Sequence, residues 1–207
     1  MLNFYRQKIS PMMVHAVCGA PPLMREREQM VPKAEGVVVE IGIGTGRNLP
    51  FYDERQVRRL IGVNPPDGLT DLVDFERLAP GIEAEIVPES AENMSLDSNL
   101  ADTVVVTYTL CSIPDVEKAI GEIRRVLKPG GRLLFVEHGR ADCEKTARWQ
   151  DRLNPYWGLI SQGCHINRNP TELLTAGGFS FQEQDRYPLR RVPSVVGFHH
   201  VGVAVGR

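Results

Sequence analysis

Val37-Val38-Val39-Glu40-Ile41-Gly42-Ile43-Gly44-Thr45-Gly46 is the stretch from which the rest of the chain is read. A run of β-branched residues ends in three alternate glycines, which places a buried strand ahead of a tight turn that opens a helix. Glycine is required where backbone turns with positive φ, or where a ligand must approach without a Cβ in the way. The spacing is G-x-G-x-G, without the longer last interval of the dinucleotide fingerprint, and no Gly-Lys-Ser/Thr follows as a Walker A loop would need. Glu40 would stand at the carboxyl edge of its strand, where open α/β sheets bind ligands. A carboxylate there repels a pyrophosphate but can receive a cationic amine, directly or through water. Taken alone, the loop also fits an ordinary strand–helix turn.

Short apolar runs recur on the C-terminal side: Leu60 to Val63, Ala84 to Val87, Thr103 to Tyr108 and Leu133 to Val136. Runs of this kind, apolar throughout rather than alternating, suit strands buried on both faces of a parallel sheet. Helices are expected between them over residues 46–54, 68–79 and 115–127. The last carries Val116, Ala119, Ile120, Ile123 and Leu127 on one face and stops at Lys128-Pro129-Gly130-Gly131. This alternation predicts a doubly wound α/β sheet. At the end of the chain, Phe179–Pro188 and Phe198–Val205 read as two strands with no helix between, a terminal antiparallel hairpin. Residues 1–35, with Phe4, Ile9, Met12, Met13 and Val17 at helical spacing, predict one or two helices outside the sheet.

Composition sets limits. The 207 residues, 42% of them apolar, can bury a core without cross-links. With 24 Lys+Arg against 26 Asp+Glu the net charge is −2, so bulk charge gives no reason to expect nucleic acid as a partner. The four cysteines, Cys18, Cys111, Cys143 and Cys164, form no Cys-x-x-Cys pair and read as reduced thiols. Met1 to Lys8 places charges where a signal peptide needs its apolar run, and no stretch reaches the roughly 20 apolar residues of a membrane span. A cytoplasmic protein is the expectation, with its oligomeric state open.

The glycine loop together with Glu89-Ser90-Ala91-Glu92-Asn93-Met94, the run Asp102 to Leu110 and the turn Arg125-Val126-Leu127-Lys128-Pro129-Gly130-Gly131 resembles the class I S-adenosylmethionine-dependent methyltransferases, with four motifs in the family's order. Asn48-Leu49-Pro50-Phe51-Tyr52, Thr109 to Ile113, Val136 to Gly139 and Gly163 to Arg168 are similar to the branch that includes small-molecule thiol methyltransferases. That likeness covers residues 20–180. It implies a Rossmann-like fold, a seven-stranded mostly parallel sheet ending in the antiparallel hairpin, with residues 36–207 as the catalytic domain and 1–35 as a helical cap. It implies S-adenosyl-L-methionine as cofactor, held by Glu40, Gly42, Gly44, Gly46, Asn64, Ser90, Ala91, Glu92, Thr107 and Leu110. It implies a small-molecule acceptor, a thiol first, with amines, phospholipid headgroups and quinone rings open.

Asn64 departs from the family pattern. The resemblance calls for an acidic residue there, to accept hydrogen bonds from both ribose hydroxyls, and a neutral amide offers one acceptor. Asp67 could compensate. A rival reading follows, in which the fold binds a ligand or partner without catalysis. Nothing in the sequence matches the apolar N-terminal anchor found in some members.

Methyl transfer needs an aligned, desolvated and deprotonated nucleophile rather than a triad or a metal. Candidates therefore lie after the fourth and fifth strands and on what covers them. His138 could deprotonate a thiol, whose pKa is about 8.5, or fix its own loop. His165 follows a segment rich in Trp149, Tyr156 and Trp157 that suits a lid over an apolar acceptor, or plain packing. Cys111 reads as a pocket wall or a small buried hydrophobe. His199 and His200 are adjacent on a strand and point to opposite faces, so they cannot pair on a metal.

Overall fold

A computed structural model describes residues 16–66 and 69–207. Phe4, Ile9, Met12 and Met13 of the expected N-terminal helices, and Asp67, lie outside the described residues. The chain opens with α1 (Pro21–Met30) and then enters β1 (Gly36–Ile41), β2 (Val57–Val63), a short helix α2 (Phe75–Leu78), β3 (Glu83–Val87) and β4 (Ala101–Thr107). It continues through α3 (Val116–Val126), β5 (Leu127–His138), α4 (Glu144–Ile160), α5 (Pro170–Ala176), β6 (Phe179–Pro188), the single turn α6 (Ser194–Gly197) and β7 (Phe198–Gly206). The seven strands lie in the order β3-β2-β1-β4-β5-β7-β6. The first five are parallel, and β7 runs antiparallel to both β5 and β6. The order reverses between β1 and β4, and the crevice beyond their carboxyl ends is the topological switch point.

Alternate residues of the central strands feed two cores. Val39, Ile41, Val104, Val106, Leu133 and Phe135 face α3, whose Ala119, Ile120, Ile123 and Val126 bury against them. Val38, Leu60, Val105, Leu134 and Val136 face the other way, onto Met30, Val31 and Ala34. The end of α1 and the residues after it thus share a core with the sheet, at roughly 1.5–3 kcal/mol for each large apolar side chain fully buried. The carboxylate of Asp115 caps α3 by accepting the Lys118 N–H at 3.1 Å.

Two of the expected helices are not formed as read. Over residues 46–54 there is only a 3-10 turn, Leu49–Phe51. Pro50 brings no N–H, and its ring would collide with the carbonyl four residues back in an α-helix. Over 68–79 the described residues form a 3-10 turn, Thr70–Leu72, and the short α2, which ends just before Pro80-Gly81. The connection between β6 and β7 carries the turn α6 where no helix was expected.

Candidate active site

Gly42, Gly44 and Gly46 all have positive φ, at 71°, 52° and 73°. Their roles differ. A Cβ on Gly42 would collide with the side chain of Thr109, so the loop can lie this close to the end of β4 only with glycine there. A Cβ on Gly44 would meet nothing nearer than the Gly42 carbonyl at 3.8 Å; it would enter an open cavity. Glu40, Gly42, Gly44, Asn64 and Thr107, all expected as cofactor residues, line this cavity. Gly46 packs against Leu49 just behind it.

Glu40 is 2% exposed. One oxygen accepts from Asn48 Nδ2 at 2.9 Å and the other from the Tyr52 hydroxyl at 2.8 Å. Burial outweighs these bonds and pushes the carboxyl from 4.5 up to about 7. Asn64 accepts the Gly44 N–H on Oδ1 at 3.2 Å and donates from Nδ2 to the Pro65 carbonyl at 2.7 Å, so it also ties β2 to the glycine loop.

Ser90, Ala91, Glu92 and Leu110 do not line the cavity. The Ser90 hydroxyl bonds Glu92 at 2.7 Å, Glu92 accepts the Asp115 N–H at 2.6 Å, and Ala91 is buried in the α3 core. These three residues fasten the loop after β3 to the start of α3. Leu110 is buried, and its N–H donates to Glu137 at 3.1 Å.

Sequence reasoning missed Arg27 and Tyr108. Arg27 comes from α1, is 4% exposed, and holds its guanidinium 4.7 Å from the centroid of the Tyr108 ring, at the cavity wall. Among the described residues its Nε and Nη1 are buried without a hydrogen-bond partner, although its charge acts on the Glu40 and Glu137 carboxyls. Tyr108 leaves β4 with φ of 54°, a costly conformation for a bulky residue. Its hydroxyl meets His199 Nε2 at 3.0 Å; His199 Nδ1–H donates to the Gly197 carbonyl at 3.1 Å. Burial holds His199 neutral, down to about 4.

Tyr108, Ser112 and Cys18 are common to this cavity and to a second chamber of about 230 Å³. The chamber is largely apolar, walled by Leu23, Trp157, Ile160, Val192 and Val196. Its lining includes the thiols of Cys18, Cys111 and Cys164 and the imidazoles of His138 and His199, and the Cys164 sulfur lies 3.2 Å from His138 Nε2. Contact with Cys111, then burial, keeps the Cys164 thiol far above its usual range, so it is neutral. Glu137, beside His138, faces elsewhere: one carboxylate oxygen accepts the Thr109 and Leu110 N–H groups at 2.7 and 3.1 Å. Burial raises it to about 7.

His165 lines neither cavity; its Nδ1 meets Asn154 Nδ2 at 3.1 Å and its N–H donates to the Cys111 carbonyl at 2.8 Å. Of the aromatic residues expected in a lid, Trp157 faces the chamber, whereas Trp149 and Tyr156 are 48% and 71% exposed. Arg168 donates to the carbonyls of Leu110 and Ile113, both at 2.6 Å, and so braces the loop that carries Cys111.

A family model described as a methyltransferase domain matches residues 39–135. Human thiol S-methyltransferase TMT1A is 33% identical over 159 residues, which is 72% of this chain and 62% of that protein. Rat thiol S-methyltransferase TMT1B is 32% identical over 181 residues, 83% of this chain and 71% of the relative. The chain belongs to the class I S-adenosylmethionine-dependent methyltransferases. Its cofactor is S-adenosyl-L-methionine. The ubiquinone/menaquinone C-methyltransferase UbiE of Caulobacter sp. strain K31 is 29% identical over 61% of this chain and 55% of its own length. Among solved structures, an S-adenosylmethionine-dependent methyltransferase from Thermotoga maritima superposes with a TM-score of 0.64 at 20% identity, covering 100% of this chain and 98% of that one. Among the described residues no helix is long and apolar enough to cross a membrane.

Proposed function

We propose that this chain methylates the sulfur of a small, largely apolar thiol. The observation that carries the reading is the second chamber: apolar walls, a size suited to a small molecule, and Cys111, His138 and Cys164 together beside the cofactor cavity. A thiol is a weak nucleophile until it loses its proton, and the acceptor must do so away from bulk water. His138 does not stand alone as a base, because Cys164 already occupies its Nε2. In this reading the cluster as a whole is where the acceptor gives up its proton. Likeness to thiol S-methyltransferases supports the same acceptor.

The cofactor side follows from the lining residues. The bound cofactor supplies an electrophilic methyl on a sulfonium. Glu40, when ionised, faces its ammonium; the unpartnered Nε and Nη1 of Arg27 are the complement its carboxylate needs. The space in front of Gly44 admits the chain between them. Asn64 offers one acceptor to the ribose. Tyr108 and Ser112, shared by both cavities, bound the passage through which methyl and acceptor sulfur meet.

The test is a methyl-transfer assay with labelled S-adenosylmethionine against matched sets of small thiols, amines and quinols of similar size. Labelled thioether from apolar thiols is the expected product. Turnover of amines or quinols with none of any thiol would overturn the reading.

A further inference from the structure

We propose that Cys111, His138 and Cys164 form a zinc site whose fourth position opens onto the acceptor chamber, and that zinc there holds the acceptor sulfur as a thiolate. The inference rests on the thiol reading above and gives it a means of activation. The three residues come from three separate elements: the loop after β4, the end of β5, and the loop between α4 and α5. Each offers one donor atom, and the three donors lie within 4.8 Å of one another.

Zinc takes Cys sulfur at about 2.3 Å and His nitrogen at about 2.0–2.1 Å in a tetrahedron, which sets ligand–ligand separations of roughly 3.5–3.8 Å. The Cys164 Sγ to His138 Nε2 distance of 3.2 Å needs to open only slightly to meet that geometry. Two thiolates and one imidazole make a borderline-soft donor set that suits zinc and rejects magnesium or calcium. Structural zinc sites close with four protein ligands, whereas catalytic sites keep three and leave one position open. Among the described residues this group has three.

The ligands are also held in place. Arg168 fixes the carbonyls on both sides of Cys111, and the His165 N–H fixes the Cys111 carbonyl itself, so the loop bearing Cys164 is fastened to the loop bearing Cys111. This gives His165, Arg168 and the Cys164 loop one shared purpose.

In the resulting step, the acceptor R–SH coordinates zinc through sulfur, the thiolate forms on the metal, and the proton passes out of the chamber to solvent. A sulfur lone pair attacks the methyl of S-adenosylmethionine. The new S–CH₃ bond forms as the CH₃–S⁺ bond breaks, and that electron pair stays on the cofactor sulfur. The neutral thioether is a poor ligand and leaves.

The test uses the full chain, reduced, stripped with chelator and dialysed against zinc sulfate or cobalt(II) chloride. Retention of one zinc per chain is expected, and the cobalt form should show thiolate-to-cobalt charge transfer and the intense visible bands of four-coordinate cobalt. Adding thiophenol should shift those bands. Cys111→Ser and Cys164→Ser should each weaken zinc binding by more than the roughly 100-fold that disturbing a supporting residue causes, with S-adenosylhomocysteine affinity within twofold of the parent. Should either variant fail to fold, the cobalt spectrum of the parent and its response to thiophenol still decide. Zinc retention no greater than that of the double Ser variant would overturn the site, as would metal-free protein that methylates thiophenol at the full rate. That second result would leave the thiol reading standing. Stoichiometric zinc with a thiophenol-shifted spectrum, but no thiol methylated under any condition, would instead uphold the site and sink the thiol reading.

Discussion

Burial disfavours the Glu40 anion in the cofactor-free fold, and Glu40→Gln measures that. In the folded protein burial raises the carboxyl from 4.5 to about 7. The protonated form is therefore favoured by folding: its contribution is complete below pH 4.5 and is lost as pH rises to about 7. Above pH 7 the ionised group destabilises the cofactor-free fold by roughly 3 kcal/mol, since each pH unit between the two values is worth about 1.4 kcal/mol. Glutamine keeps the shape and an acceptor for Asn48, and the Tyr52 hydroxyl can turn to accept from the new amide. Glu40→Gln should thus stabilise the cofactor-free protein by up to about 3 kcal/mol at pH 8 and by little at pH 4.5. Glu137 titrates in the same range but cancels in the comparison. Cofactor binding should move the opposite way. The ammonium loses a charged partner worth ~1.5–3 kcal/mol, or about 10- to 100-fold in affinity. In the parent, affinity for S-adenosylhomocysteine should fall about tenfold per pH unit below 7, because the proton on Glu40 must leave first; in the variant this slope should vanish. Denaturant unfolding at both pH values and calorimetric titration across pH 5.5–8.5 provide the two readings. A variant that binds as tightly as the parent, with the parent's slope, would refute the placement of the ammonium at Glu40.

Gly44→Val should leave the circular dichroism of the fold intact and weaken cofactor binding by more than about 100-fold in calorimetry, because its side chain enters the open cavity. Asn64→Asp should tighten S-adenosylhomocysteine binding by about 1 kcal/mol through a charged ribose acceptor. It should also lower cofactor-free stability by a similar ~1 kcal/mol, since it loses the donor to the Pro65 carbonyl; calorimetry and denaturant melts read the two separately. His138→Ala should lower kcat for a thiol by ~10²-fold or more at pH 7 by disrupting the Cys111–His138–Cys164 cluster. That deficit should shrink as pH rises past the acceptor's own pKa, and a pH–rate profile parallel to the parent's would count against the cluster as the place where the acceptor loses its proton.

The sheet was legible because the runs in β1, β2, β4 and β5 are largely apolar and buried, whereas β3 at the sheet edge exposes Glu83 and Glu85 and was read from its place in the alternation. The helix expected over 46–54 failed because Pro50 acts at single-residue range while periodicity averages over a window. That Glu40, Gly42, Gly44, Asn64 and Thr107 share one cavity could be anticipated, because they cluster around one turn or end adjacent strands. Arg27 was not. It sits in α1 within the charged run Arg25-Glu26-Arg27-Glu28, and only the packing of α1 on the sheet singles it out as the buried member. His165 shows the converse: a histidine beside a cysteine in a loop reads as chemistry, whereas its ring bonds Asn154 and it does not line the chamber.

Tyr108 explains why both cavities exist at all. A β-strand that continued past Thr107 in extended conformation would run straight out over the crevice. The left-handed φ of 54° at Tyr108 breaks that path, at a cost of order 1–3 kcal/mol. What the kink gains is measurable in contacts: the next two N–H groups, of Thr109 and Leu110, reach the buried carboxylate of Glu137 on β5. The chain then folds back so that Cys111 lies beside Cys164, with its carbonyl bound to His165. The Tyr108 ring is left between Arg27 and His199 and lines both the cavity beside the glycine loop and the apolar chamber. Glu137 thus braces this wall although it lines neither cavity. Its hydrogen bonds to Thr109 and Leu110 offset the strain that sets the wall.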